Sequence, residues 1–317
     1  MLLGLGLNLN KGGFVSVPYH SVLASAFRSR VQSDGGEVGN ISCLKSELKE
    51  LNPTKPAAFT GLLNDYSGAA AAYSLRLLDN TYSGNAIKVR RSSDNAEQDI
   101  AFVNNELDTA SLETFAGSGD AFVTTWYDQS GSGNDATQTS AAGQPQIVSS
   151  GSTILENGKP IVTAKAAQVN TLNINISYSG SNLLSVFSAL KLKSGNNWYL
   201  STDNSSTTSP DGVLAWAFSD QLGAYRSQFA IGPDLSLGQY LLSNVWQPSI
   251  FESYVNGSLN HNDGSVELIA SFDFSSLQMF QSTPSDVGIQ EMVIYTSDES
   301  TNRTGIETNI NDFYSIY

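Results

Sequence analysis

The apolar positions change their rhythm along the chain. At the start they alternate: Leu3, Leu5, Leu7 and Leu9 are separated by Gly and Asn, which predicts a strand-like arm with one greasy edge over residues 1–20. The spacing then becomes helical. Leu23, Ala26, Phe27 and Val31 fall on one stripe that Gly35-Gly36 ends. A second stripe, Ile41, Leu44, Leu48 and Leu51, follows a capping Asn40 or Ser42 and stops before Pro53 and Pro56. Two helices joined by a Gly turn are therefore expected in residues 21–51.

From about Tyr66 short alternating runs dominate, cut by Gly, Asn, Ser and Asp. They include Tyr73–Leu78, Ile87–Arg90, Phe122–Tyr127, Leu183–Leu192, Trp198–Leu200, Val213–Phe218, Ser249–Val255, Val266–Phe272 and Gly288–Tyr295. Such β-branched and aromatic runs, spaced by turn residues, predict an all-β sandwich or jelly roll. Near the end, Ile306, Ile310, Phe313 and Tyr317 share one helical face, so a terminal helix should pack on the sandwich. The expected division is a docking segment, 1–60, and a β-sandwich, 61–317.

Charge narrows the function. Sixteen Lys and Arg against 30 Asp and Glu give a net charge of −14 in 317 residues. That balance argues against nucleic acid, whose binding needs a basic face, and against a polybasic membrane-surface protein. No apolar run is long enough to span a bilayer. The arm lacks the basic start of a secretory signal, since Lys11 follows its apolar run, so it is expected to be retained. Cys43 is the single cysteine, which excludes internal disulfides and cysteine zinc sites, and His20 and His261 are the two histidines.

Two stretches carry candidate chemistry: Val89-Arg-Arg-Ser-Ser-Asp-Asn95 and Thr125-Trp-Tyr-Asp-Gln-Ser-Gly-Ser-Gly-Asn-Asp135. In the second, Asp128, Ser130, Asn134 and Asp135 cluster oxygen atoms in a Gly-rich turn. They are the residues that would hold Ca²⁺, although no Glu closes the loop as in an EF-hand. The alternative is that Asp128 and Asn134 cap their own turn, with no cofactor at all. Arg90, Arg91 and Asp94 are expected to form a buried ion pair behind it. Among the later aromatics, Trp198 and Trp246 are the candidates to line a glycan groove, because an indole offers a sugar an apolar plate and a polar tip.

The block around these motifs resembles the catalytic domain of the α-L-arabinofuranosidase B family over residues 66–150, and more loosely a concanavalin A-like (LamG-like) jelly roll beyond. The same block, together with Ala26–Gly36, Cys43-Leu44 and Asn302–Tyr314, resembles structural proteins of tailed bacteriophages. A retaining glycosidase needs two carboxyl groups about 5–5.5 Å apart. In the enzyme family these are a Glu on a mid-domain strand and an Asp in a Gly-Gly-Asp-Asn turn. The nearest segments here, Val213–Asp220 and Gln281–Glu291, lack that Glu and that Gly-Gly-Asp, leaving Asp220 and Asp286. The resulting expectation is a non-enzymatic virion structural protein: a fibre, capsid-decoration or tail-adhesin subunit on the particle surface. It would dock on other virion proteins through Leu3, Leu5, Leu7 and Leu9, assemble with copies of itself (as a trimer) and touch host polysaccharide. An arabinofuranosidase-type hydrolase and a secreted lectin module are the alternatives.

Overall fold

In a computed structural model of the protein, the described residues are 59–317 without 165–169, 182, 194–196, 203–212, 219–220, 224–236, 249, 264–271, 275 and 281–286. The docking leucines and the two helices expected in 21–51 lie outside them, as does most of the run Val266–Phe272.

Among the described residues, eighteen strands hydrogen-bond into one continuous network. Those that matter here are, in chain order, β1 (Ala71–Ser74), β2 (Ile87–Arg91), β3 (Glu97–Ile100), β4 (Ala121–Trp126), β5 (Ala136–Thr137), β6 (Gln146–Ser149), β7 (Val162–Thr163), β8 (Leu172–Ile174), β9 (Leu184–Leu192), β10 (Asn197–Thr202), β11 (Val213–Phe218), β12 (Gln221–Gly223), β13 (Gly238–Trp246), β14 (Phe251–Val255), β15 (Ser258–Asp263), β16 (Leu277–Met279) and β17 (Val287–Tyr295). All pair antiparallel. One layer runs β15-β14-β13-β9-β17, with β1 and β7 sharing the far side of β17. The other runs β3-β2-β4-β5-β8-β16-β10-β11-β12. Strand β6 pairs with β4 on one side and β7 on the other, and so joins the layers along one edge.

Two cores explain which residues became strands. The larger lies between the layers and takes Val89, Val123, Trp126, Ile174, Val186, Leu242, Met279 and Ile289. The smaller lies outside the first layer, where Phe187, Leu241, Val293 and Tyr295 meet Ile306, Ile310 and Tyr314 of a terminal helix. Strand β17 is consequently buried at all nine positions. A strand covered on both faces reads as a near-continuous apolar run rather than an alternating one. The terminal helix, Arg303–Tyr314, buries Ile306, Ile310 and Tyr314, while Phe313 is only partly covered. A second helix, Thr109–Ala116, is capped by the Asp108 carboxylate on the Ser111 N–H at 3.0 Å. The architecture is the expected mainly-β sandwich of jelly-roll type with a C-terminal helix.

Candidate functional site

Strand β4 delivers the motif turn. Trp126, the last residue of β4, is buried, and Asp128 follows at 4% exposure. Its carboxylate accepts four hydrogen bonds. Oδ1 takes the N–H groups of Ala72 and Ser130, each at 2.8 Å. Oδ2 takes the Ser130 hydroxyl at 2.8 Å and the Asn134 N–H at 3.0 Å. Gly131 and Gly133 turn the chain between them with φ of 83° and 74°, a region that L side chains rarely enter. Asn134 donates from Nδ2 to the Ala70 carbonyl at 2.8 Å and accepts the Tyr73 hydroxyl on its own carbonyl. Gln129 accepts the Leu78 N–H and donates to the carbonyls of Ser74 and Arg76. The motif thus bolts β4 to β1.

This geometry favours the capping reading over a calcium loop. Each Asp128 oxygen already faces two hydrogen atoms, the positive ends of their dipoles, where a cation would have to sit. Among the described residues no three His, Cys, Asp or Glu side chains gather as metal ligands. Asp135 accepts the Asp128 N–H at 2.9 Å. Burial pushes its carboxyl above the ordinary value; the Asp128 N–H opposes that shift and the Asp128 charge adds to it.

The arginine motif departs from expectation. Arg91 does pair with Asp94, at 2.6 Å, but on the surface: their side chains are 33% and 49% exposed. The Arg91 hydrogen bonds hold the Asp94 carboxyl down at about 2. Arg90 makes no ion pair with Asp94. Its Nε donates to Gln144 at 2.6 Å and its Nη1 to Asn95 at 2.9 Å, while the guanidinium lies 5.0 Å from the Phe122 ring centre. Strand β2 ends at Arg91 and β3 begins at Glu97, so Asp94 sits in the middle of the connecting turn, which faces water.

Trp246 also requires correction. It is 5% exposed and packs its ring 4.9 Å from that of Phe251 in the core between the layers, so it offers no plate to a sugar. Trp198 lies on β10 opposite Trp216, with its side chain outside those described. Asp220 and Asp286 lie outside the described residues.

One polar cluster had no local signal. Arg76, just after β1, grips Glu291 of β17, 215 positions away, with Nε to Oε2 at 2.8 Å and Nη2 to Oε1 at 2.9 Å. Glu291 also accepts the hydroxyls of Ser74 at 2.7 Å and Tyr314 at 3.2 Å. Burial and then the Glu291 charge push the Tyr314 phenol well above its ordinary value, keeping the proton it donates. Phe313 lies beneath the Arg76 guanidinium at 4.9 Å. The cluster fastens the terminal helix to the sandwich.

Fold and motifs together define an antiparallel β-sandwich of jelly-roll type. The family model described as "Alpha-L-arabinofuranosidase B, catalytic" matches residues 65–208. Among solved structures, the chain is similar to a GH54 α-L-arabinofuranosidase soaked with a cyclic sulfate inhibitor, with a TM-score of 0.60, 15% identity, and coverage of 76% of this chain and 62% of that one. It is similar in the same proportions of length to an arabinofuranosidase complexed with arabinofuranosyl-α-1,2-xylobiose (TM-score 0.58, 15% identity). A Glu-to-Gln variant of a GH54 α-L-arabinofuranosidase soaked with 4-nitrophenyl α-L-arabinofuranoside gives a TM-score of 0.59 at 13% identity. The chain therefore spans less than two thirds of the length of these enzymes. No curated protein matches it.

These matches correct the functional expectation. A catalytic-domain model and arabinofuranosidase structures point to a glycoside hydrolase, the alternative above, and overturn both the virion structural role and the non-enzyme reading. None of them connects the chain with a phage particle or a fibre.

Proposed function

We propose that this chain is a glycoside hydrolase of the arabinofuranosidase type, cleaving terminal arabinofuranosyl groups. The observation that carries the reading is the match of residues 65–208 to a catalytic-domain model, on a sandwich that shares its fold with arabinofuranosidases. Double displacement on a furanoside needs one carboxylate to attack the anomeric carbon and one carboxylic acid to protonate the leaving oxygen. We assign the first role to Asp220 and the second to Asp286. They are acids in the two segments nearest to those that carry the family's pair, taken in the same order, and neither segment keeps the family's Glu or Gly-Gly-Asp. Incubating the full chain with 4-nitrophenyl α-L-arabinofuranoside tests the reading: nitrophenol release is expected, and its loss in Asp220→Asn and in Asp286→Asn. A chain that releases none fails it.

A further inference from the structure

A row of polar side chains crosses the second layer at right angles to its strands. Asp99 pairs with Lys88, Lys88 with Thr125, Thr125 with Thr137, Thr137 with Asn173, and Asn173 with Gln278. Residues directly opposite each other in a sheet share a face. Their neighbours along the strands, Ile100, Ile87, Trp126, Ala136, Ile174 and Leu277, are all buried in the core between the layers. The row therefore lies on the outer face. Asp99 is exposed and the other five are half-buried. The next partner, Ser201, is buried and closes the row. Five strand spacings give a length of about 24 Å.

Its chemistry is that of a surface for a neutral polyhydroxyl ligand. Lys88 and Asp99 offset each other at one end, and the rest of the row is hydroxyl and amide, groups that both donate and accept. The amides are already aimed: Gln278 donates from Nε2 to Asn173 Oδ1 at 2.9 Å, and Asn173 donates from Nδ2 to the Thr137 carbonyl at 3.3 Å. Tyr127, half-buried, donates its hydroxyl to Asp99 at 2.6 Å and adds an aromatic edge at that end. A straight row suits an extended strand better than a compact ligand. The chain's net charge of −14 opposes a polyanion.

We propose that this row binds the backbone of a neutral polysaccharide, the polymer whose furanosyl branches the enzyme removes; the identity of the branches rests on the hydrolase reading. The test is affinity electrophoresis of the full chain in gels containing neutral arabinoxylan or polygalacturonate. Retardation is expected in arabinoxylan and not in polygalacturonate. Asn173→Ala with Gln278→Ala should weaken it about tenfold, the loss of one or two net hydrogen bonds. Thr137→Arg adds bulk mid-row while leaving the core side chains in place, and should weaken it at least as much. Absence of retardation by the wild type, equal retardation in polygalacturonate, or unchanged retardation of Thr137→Arg overturns the proposal. Wild-type turnover of the nitrophenyl arabinofuranoside is read separately. Retardation without turnover would sink the hydrolase reading and keep the row; turnover without retardation would do the reverse.

Discussion

Arg76 and Glu291 form a bidentate ion pair in the interior, with Glu291 fully buried and the Arg76 side chain 9% exposed. Burial is the largest influence and would lower the Arg76 pKa, but the charge and hydrogen bonds of Glu291, with those of Tyr314, together outweigh it, and the net shift is upward. Removing one member strands a charge that has left water. Glu291→Ala or Arg76→Ala should each cost about 3–5 kcal/mol, read as a lower denaturant midpoint at unchanged slope. The double change Arg76→Met with Glu291→Met should cost less than either single change, because no charge is then left unpaired. Equal or larger loss in the double variant would mean that the hydrogen-bonded cluster, not charge burial, holds the helix.

Asp128 accepts four hydrogen bonds within and beside its turn, so its removal is expected to act on stability. Asp128→Ala strands the N–H groups of Ala72, Ser130 and Asn134 and should cost roughly 3 kcal/mol. Excess calcium or a chelator should leave the wild-type Tm where it is. A rise with calcium would show that a cation displaces the four donors now facing the carboxylate.

Asp135 sets a pH dependence of definite sign. Its folded carboxyl is raised, chiefly by burial, so the protonated form suits the fold better. The stability linked to this group is fully present below its ordinary value of 3.8 and is lost as pH rises through the raised value. Asp135→Asn mimics the protonated form and keeps an oxygen for the Asp128 N–H. Its Tm should exceed that of the wild type at neutral pH, and the gap should close as pH falls below 3.8. A gap that widens in acid would refute the assignment.

Trp246 contributes through packing. Trp246→Ala should cost about 3–5 kcal/mol by leaving a cavity beside Phe251. A variant as stable as the wild type would place the indole at the surface after all.

Much of the sandwich was legible because its strands alternate or run apolar. Val213–Phe218 is a strand over the expected residues, and Leu184–Leu192 begins one residue late. Helix Thr109–Ala116 was missed: it is only eight residues long and its buried face holds just Leu112 and Ala116, too short a period to register. The short strands Ala136–Thr137 and Val162–Thr163 carry no rhythm of their own and exist because longer neighbours need partners. Asp128 lay in a Gly-rich motif that drew notice in the sequence as a turn or a Ca²⁺ loop, and its hydrogen bonds run to that turn and to Ala72. Trp246 was misplaced because it ends a strand, Gly238–Trp246, that is buried at its last six positions and has no alternation from which to read the face of the indole. Glu291 and Arg76 were invisible as a pair: nothing local joins residues 215 positions apart.

Hydrolysis itself is the most direct measurement. With 4-nitrophenyl α-L-arabinofuranoside, the full chain should release nitrophenol, and Asp286→Asn should lower the rate about 10²–10⁴-fold, the usual share of a general acid. No release from the wild type, or a rate untouched by replacing both Asp220 and Asp286, would contradict the account.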